Sequence, residues 1–498
     1  MSVLLKIDDL SESEVKMIIK ELTIYPYNKY EETCKERGIY NPFPSKPIPP
    51  ISMYSTNEKD RTIKVPYAFG CNLKGHKTNY KNPFKKIIND ENFEITLREH
   101  QKKPFIKALD QLTTHNTTSL CLPPGFGKTV LGILLAYMKG YMLMIGVTRE
   151  SIGDAWVKTI EDCLPTLSDK IWFVGKKGSK EPGIYFENIK VSELRNDFSK
   201  DFSADDPLSK FNKKHLKEYV PSFIICMDQR SEKICPITRS QVGTLIIDEA
   251  HLFCSREKVE FLLCLQPRYV ILETATLQRV DKLEKMVTLI AGEHQVYKRS
   301  DSYYQVYKID TFVMGDEEKG PRGVSYGKLC ASLGENMYRN SIILDIVKTN
   351  PHRKYIILSI SVPHVKLLQN LFKKNNIECD ILCSNIKDYS DSHVLIGTMS
   401  KMGVGFDEKN ACKDFKGITS DVLILCHSVA QWQLFEQYVG RVKRTEDPIV
   451  VCLNDKNKMV RNHITMNEDW IKLTNGKILP MKYVPGEIIL PHKVKKAA

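Results

Sequence analysis

The sequence predicts an α/β protein of two tandem parallel-sheet domains preceded by a small N-terminal accessory domain. Three observations lead there. From residue 95 onward, short apolar runs rich in β-formers alternate with helical stretches. That alternation occurs twice, on either side of a Gly- and charge-rich stretch at 315–327. The chain has 498 residues, enough for about three domains. The expected boundaries are 1–90 for the accessory domain, 91–310 for the first core, 311–334 for a linker and 335–498 for the second core.

In chain order, 13–22 predicts a short helix, and 41–50 holds five prolines. Between 64 and 86, Tyr67, Phe69, Tyr80 and Phe84 interleave with Lys64, Lys74, Lys77, Lys81, Lys85 and Lys86. Two readings stay open here. Aromatic and cationic side chains together suit nucleic acid, by stacking and phosphate neutralisation, and aromatics also dominate the core of a small domain. Strands of the first core are expected near 117–122, 141–148, 170–175, 223–227, 244–249 and 268–275. The charged segment 176–222 reads as an insertion with some helix near 209–219. The second series begins with a helix at about 338–348. Strands follow near 355–361, 377–383, 393–398, 421–427 and 448–453.

Composition bounds the function. Hydrophobic content of 42% supports large buried cores, and the net charge of +13 fits a polyanionic partner. The 14 cysteines are scattered without a C-x-x-C pair, which disfavours zinc and a disulfide scaffold and fits an intracellular, reducing compartment. The first 20 residues carry Asp8, Asp9, Glu12 and Glu14, unlike a signal peptide. No run approaches the roughly 18 apolar residues of a membrane span.

The chemistry centres on Leu122-Pro123-Pro124-Gly125-Phe126-Gly127-Lys128-Thr129, which follows an apolar run and opens a helical one. Strand, glycine turn and helix together make a phosphate-binding loop. Gly125 and Gly127 let backbone N–H groups turn inward, and the helix N-terminus favours an anion. In that motif Lys128 reaches the β/γ-phosphates of ATP and the Thr129 hydroxyl ligates Mg²⁺. Leu122 stands where the strict pattern has Gly. The run 244–247 is apolar and ends in Asp248 and Glu249. Ligands of such sheets bind beyond the carboxyl ends of strands. Asp248 is therefore expected to hold Mg²⁺ and Glu249 to polarise the attacking water.

Asp248-Glu249-Ala250-His251 resembles the D-E-A-H box of superfamily 2 helicases. Leu97-Arg98-Glu99-His100-Gln101 resembles their L-R-x-x-Q stretch, which implies that Gln101 contacts adenine. Thr274-Ala275-Thr276 resembles the S/T-A-T segment. Residues 147–156 resemble V-P-x-x-x-L-x-x-Q-W, with Thr148, Ile152 and Ala155 departing from it; Trp156 reads equally as a core residue. In the second core Gln437-Tyr438-Val439-Gly440-Arg441-Val442-Lys443-Arg444 matches Q-x-x-G-R-x-x-R. If that stretch is helical, Arg441 and Arg444 share a face, and guanidinium forks suit the charge of a transferring phosphoryl group. Residues 398–407 resemble T-x-x-x-x-x-G-x-D, which places Asp407 near the ribose or the domain interface.

The resemblance covers 97–444 and implies two RecA-like domains, ATP and Mg²⁺ as cofactors, and DNA or RNA as partner. Catalysis then falls to Lys128, Glu249, Arg441 and Arg444. Nucleotide contacts fall to Gln101, Gly125, Gly127, Lys128, Thr129, Asp407 and Gln437, and metal contacts to Thr129 and Asp248. A finer likeness is to the poxvirus transcript-release helicases, related to the XPB kind. It rests on 124–129, on Val65-Pro66-Tyr67-Ala68-Phe69-Gly70 and on Arg339-Asn340. It implies a virion or viral-factory location and RNA polymerase or a transcription complex as partner. Three other readings stay open: a duplex translocase that does not separate strands, a non-catalytic nucleic-acid-binding subunit, and a phosphotransferase.

Overall fold

A computed structural model describes residues 2–26, 49–74, 93–190, 192–193, 216–275, 279, 281–300, 302–317, 319–320, 323–386, 388–403, 406 and 408–491. The chain divides into two compact units, Met1–Leu122 with Gly127–Tyr297, and Pro123–Phe126 with Lys298–Ala498.

The first unit is built on a seven-stranded sheet: β1 (Thr117–Cys121), β2 (Leu143–Val147), β3 (Ile171–Val174), β4 (Phe223–Met227), β5 (Thr244–Ile247), β6 (Tyr269–Thr274) and β7 (Val296–Tyr297). Its order is β7-β1-β6-β5-β2-β4-β3, and every pairing is parallel. Strands buried on both faces read as continuous apolar runs, which is why β2, β4 and β5 stand out in the sequence. β1 is polar at its start and still buried; Thr118 Oγ1 donates to Gln111 Oε1 at 2.7 Å and Thr117 Oγ1 to the Ala291 carbonyl at 2.7 Å.

The described N-terminal residues pack on the first core rather than around a core of their own. Ile18, Leu22, Ile63 and Val65 join Met144, Leu245, Ile247 and Leu272 in one buried cluster on a face of the first sheet. The Ser2 hydroxyl donates to the carbonyl of Leu263 at 2.9 Å, and Tyr67 donates to that of Arg268 at 3.2 Å. Tyr67 is therefore an interior residue. Lys77, Tyr80, Lys81, Phe84, Lys85 and Lys86 lie outside the described residues. In the insertion, Leu216–Tyr219 is a strand rather than the expected helix. It pairs with Gly183–Phe186, and 209–215 lie outside the described residues.

The second unit repeats the build: β8 (Tyr304–Asp310), β9 (Tyr355–Ser359), β10 (Cys379–Leu382), β11 (Val394–Thr398), β12 (Val422–Leu425), β13 (Ile449–Asn454) and β14 (Gly476–Lys482). The order is β10-β11-β9-β12-β13-β8-β14, again all parallel. Ile356, Leu358 and Leu423 face one cluster, and Tyr355, Ile357 and Val422 the other. Two parallel sheets flanked by helices are tandem RecA-like cores.

A boundary at 310 places β8 in the first core, but its hydrogen bonds run to β13 and β14 of the second. The expected linker is also partly structure. Tyr326–Glu335 is a helix with Leu329 and Leu333 buried. β14 leaves no clear signal in the sequence, because its residues alternate half-buried and exposed at a sheet edge.

Candidate functional site

The glycine turn joins β1 to helix α2 (Lys128–Lys139). Gly125 has φ +77° and Gly127 φ +91°, in the region that favours glycine. Gly127 has a second reason to lack a side chain. The Gln101 Nε2 lies 2.4 Å from where its Cβ would stand. Gln101 is held there because its Oε1 accepts from the Arg98 backbone N–H at 2.9 Å, in the first turn of helix α1 (Glu99–His115). Lys128 Nζ donates to the Leu122 carbonyl at 3.0 Å, curling back over the turn. Thr129, the second residue of α2, is half-buried.

Asp248 and Glu249 follow the carboxyl end of β5. Asp248 Oδ2 accepts from the Trp156 indole N–H at 2.9 Å, and its Oδ1 from the Glu249 backbone N–H at 2.8 Å. Burial, and then the Glu249 charge, push the Asp248 carboxyl up to about 6, against the pull of Trp156 and the Lys128 ammonium. Glu249 sits at φ +49°, a left-handed backbone rarely adopted outside glycine. Its Oε2 is buried without a hydrogen-bond partner. His251 Nδ1 is 3.4 Å away, but burial lowers that imidazole to about 4, so it is neutral and forms no ion pair. Its Nδ1 is instead 2.9 Å from Thr274 Oγ1, which ties the acidic turn to the end of β6. Thr276 lies outside the described residues.

Glu273 is a residue the motifs do not mark. It is 0% exposed, and neither carboxyl oxygen has a hydrogen-bond partner. It packs against α2 where Gly132 leaves room; a Cβ there would lie 2.2 Å from Glu273 Oε1. Burial, then the Asp248 charge, raise its pKa well above the carboxylate range. A single acid inside the apolar run Tyr269–Thr274 is the available signal. Trp156 is likewise more than core packing, since its indole orients Asp248.

In the second core, helix α3 (Trp432–Val439) ends before the arginines, and hydrogen-bonded turns follow. Arg441 and Arg444 therefore do not share a helix face. Arg441 donates to the carbonyl oxygens of Phe406 and Gly403, holding the backbone of that loop. Arg444 is exposed. Gln437 is buried, and its Oε1 has no partner among the described residues. Asp407 lies outside the described residues.

No protein-family model matches the chain. Over 438 residues it is 25% identical to "Putative helicase 161L" of Invertebrate iridescent virus 6, covering 83% of this chain and 88% of that one. Over 418 residues it is 23% identical to "Putative helicase 055L" of Frog virus 3 (isolate Goorha), covering 83% and 84%. Among solved structures, S. cerevisiae Dbp5 bound to RNA and ADP BeF3 aligns over 76% of this chain and 89% of that one, at 11% identity and TM-score 0.49. Among the described residues, no helix is long and apolar enough to cross a membrane. In sequence, the chain is thus similar to viral proteins bearing helicase names, along most of its length and theirs.

Proposed function

We propose that this chain is a nucleic-acid-dependent ATPase of the superfamily 2 helicase type, coupling hydrolysis to movement along DNA or RNA. One observation carries the reading. The glycine-turn lysine, the buried Glu273 and the half-buried Asp248 and Glu249 gather at the carboxyl edge of the first sheet, and two of those acids keep oxygens without partners. Buried polar groups without a partner are uncommon in native interiors and point to a water, an ion or a ligand at the site.

The residues present fit ATP and Mg²⁺. Backbone N–H groups of the Gly125–Gly127 turn and the Lys128 ammonium would take the triphosphate, and Gln101 the adenine. The Thr129 hydroxyl and the Asp248 carboxylate would hold the metal. When bound, Mg²⁺ supplies charge neutralisation across the phosphate oxygens. Trp156 keeps Asp248 aimed. Glu249 has an oxygen to spare for an attacking water, and the neutral His251 steadies its turn. Arg444 is assigned to the charge on the γ-phosphoryl group, and Arg441 to the same chemistry through the Gly403 and Phe406 carbonyls it grips. Asp407 and Gln437 complete the proposed nucleotide contacts. The likeness to transcript-release helicases supports a finer proposal, that a transcribing polymerase is the partner and nascent RNA the strand released.

The test is ATP hydrolysis with single-stranded DNA, duplex DNA and RNA compared in one buffer. The wild type is expected to be stimulated by at least one of them, and Lys128→Ala to fall to background. Full activity in Lys128→Ala would remove the phosphate loop from the proposal.

A further inference from the structure

Between the N-terminal hairpin and the first core lies an open cleft of about 660 Å³. One wall is the hairpin of Ser55–Asn57 and Thr62–Pro66, in which Ser55 pairs with Lys64. The other comes from the short helices Pro236–Gln241 and Val259–Leu263 and the turn before the latter. Lys64, Arg239 and Arg256 line it against one carboxylate, Glu260. None of the three cations has a carboxylate partner among the described residues. Arg256 donates at 2.7 Å to the carbonyls of Pro49 and Pro50, which fixes its guanidinium without neutralising it. Tyr54 and Ser240 add a ring and a hydroxyl to the lining.

Some surface cations of this unit are met by acids. Lys176 pairs with Asp154, Lys190 with Glu181 and Lys102 with Glu99. Three cations converging on one concave surface, with Glu260 the one carboxylate among its described lining residues, form an electrostatic footprint for a polyanion. The cleft is wide, open and mixed in polarity, which suits a phosphodiester chain rather than a compact buried ligand. We infer that it is a second nucleic-acid-binding surface, in which Lys64, Arg239 and Arg256 hold the backbone phosphates of a strand. This rests on the proposed function, and it gives the N-terminal region a role in gripping the track. Lys64 belongs to the basic and aromatic run of the sequence. Tyr67 of that run is interior, so here the cation faces the partner and the ring supports the fold.

The experiment measures binding of single-stranded DNA and RNA length series to the full chain across a salt series. Removing one phosphate-binding cation reduces the slope of log K against log salt by about 0.7–0.9. The triple variant Lys64→Ala/Arg239→Ala/Arg256→Ala is expected to lower that slope by about 2–3 on long strands, leaving unstimulated ATP hydrolysis unchanged. Lys64→Ala/Arg239→Ala spares the hydrogen bonds of Arg256 to the fold and should lower it by about 1–2. Wild-type binding with an unchanged slope in both variants overturns this inference alone. A wild type that binds no nucleic acid overturns the proposed function with it. Loss of polyglutamate binding, with nucleic-acid slopes unchanged, would assign the cleft to an acidic protein and likewise overturn it.

Discussion

In the second core, Arg353 is almost fully buried and its charge is met from every side. It donates to Asp421 Oδ2 at 2.8 Å and to the carbonyls of Pro491 and Asp447, and Asp421 also accepts from the Lys354 backbone N–H. Arg339 and Asp455 form a two-pronged pair at 2.9 and 3.0 Å, with Thr311 donating to the same acid. In the first core, Asp248, Glu249 and Glu273 are buried or nearly so. Among the described residues both Glu273 oxygens and Glu249 Oε2 have no hydrogen-bond partner, and the Lys128 charge pulls against the raised pKa of Asp248 and Glu273. The two sheets share a build and differ in how completely their charges are met. In the second core the buried pairs Arg353–Asp421 and Arg339–Asp455 hold shape. The first core leaves acids short of partners, which is what the proposed nucleotide and metal would answer.

The sharpest way to break this comparison is to unpair the second core. Asp455→Ala strands Arg339 and should cost about 3–5 kcal/mol of unfolding free energy. Urea unfolding that showed no loss would mean the pair is not what holds that core.

The next effect concerns pH. Burial raises the folded pKa of Asp248 from 3.8 to about 6. In that window the folded state holds more protons than the unfolded one, so stability falls as pH rises through it. In nucleotide-free protein with divalent cations chelated, the wild type should lose about 3 kcal/mol from this acid between pH about 3.8 and about 6. Asp248→Asn should lack that loss. Parallel unfolding curves for the two proteins across the same pH range would contradict the assigned burial.

Smallest is a gain. Glu273→Leu removes two buried oxygens without partners and should stabilise the empty protein by about 1–3 kcal/mol. Thermal unfolding reads it directly, and a loss in the variant would show that the carboxyl is better satisfied than its surroundings suggest.

Much of the fold is legible because strands buried on both faces leave unbroken apolar runs. The glycine turn is legible because positive φ selects glycine. β8 escapes, since polar residues interrupt Tyr304–Asp310 and its partners are β13 and β14, far along the chain. Glu273 is visible as one acid in an apolar strand, but nothing local says that its oxygens go unpartnered. The spacing of Arg441 and Arg444 points both at phosphate. The chain folds the first onto the carbonyls of Gly403 and Phe406, a choice made by packing rather than spacing.

Residue order alone determined strands β1–β6 and β9–β13 of the two sheets, the turn between β1 and α2, and the acids that follow β5. These depend on dihedral preference and burial, both felt within a few residues. Tertiary structure alone decided that the N-terminal hairpin shares the first core's apolar cluster, that Gln101 occupies the space beside Gly127, and that three cations from distant segments line one cleft. Each brings together side chains many residues apart, and no local pattern encodes such a meeting; it follows from how whole elements pack.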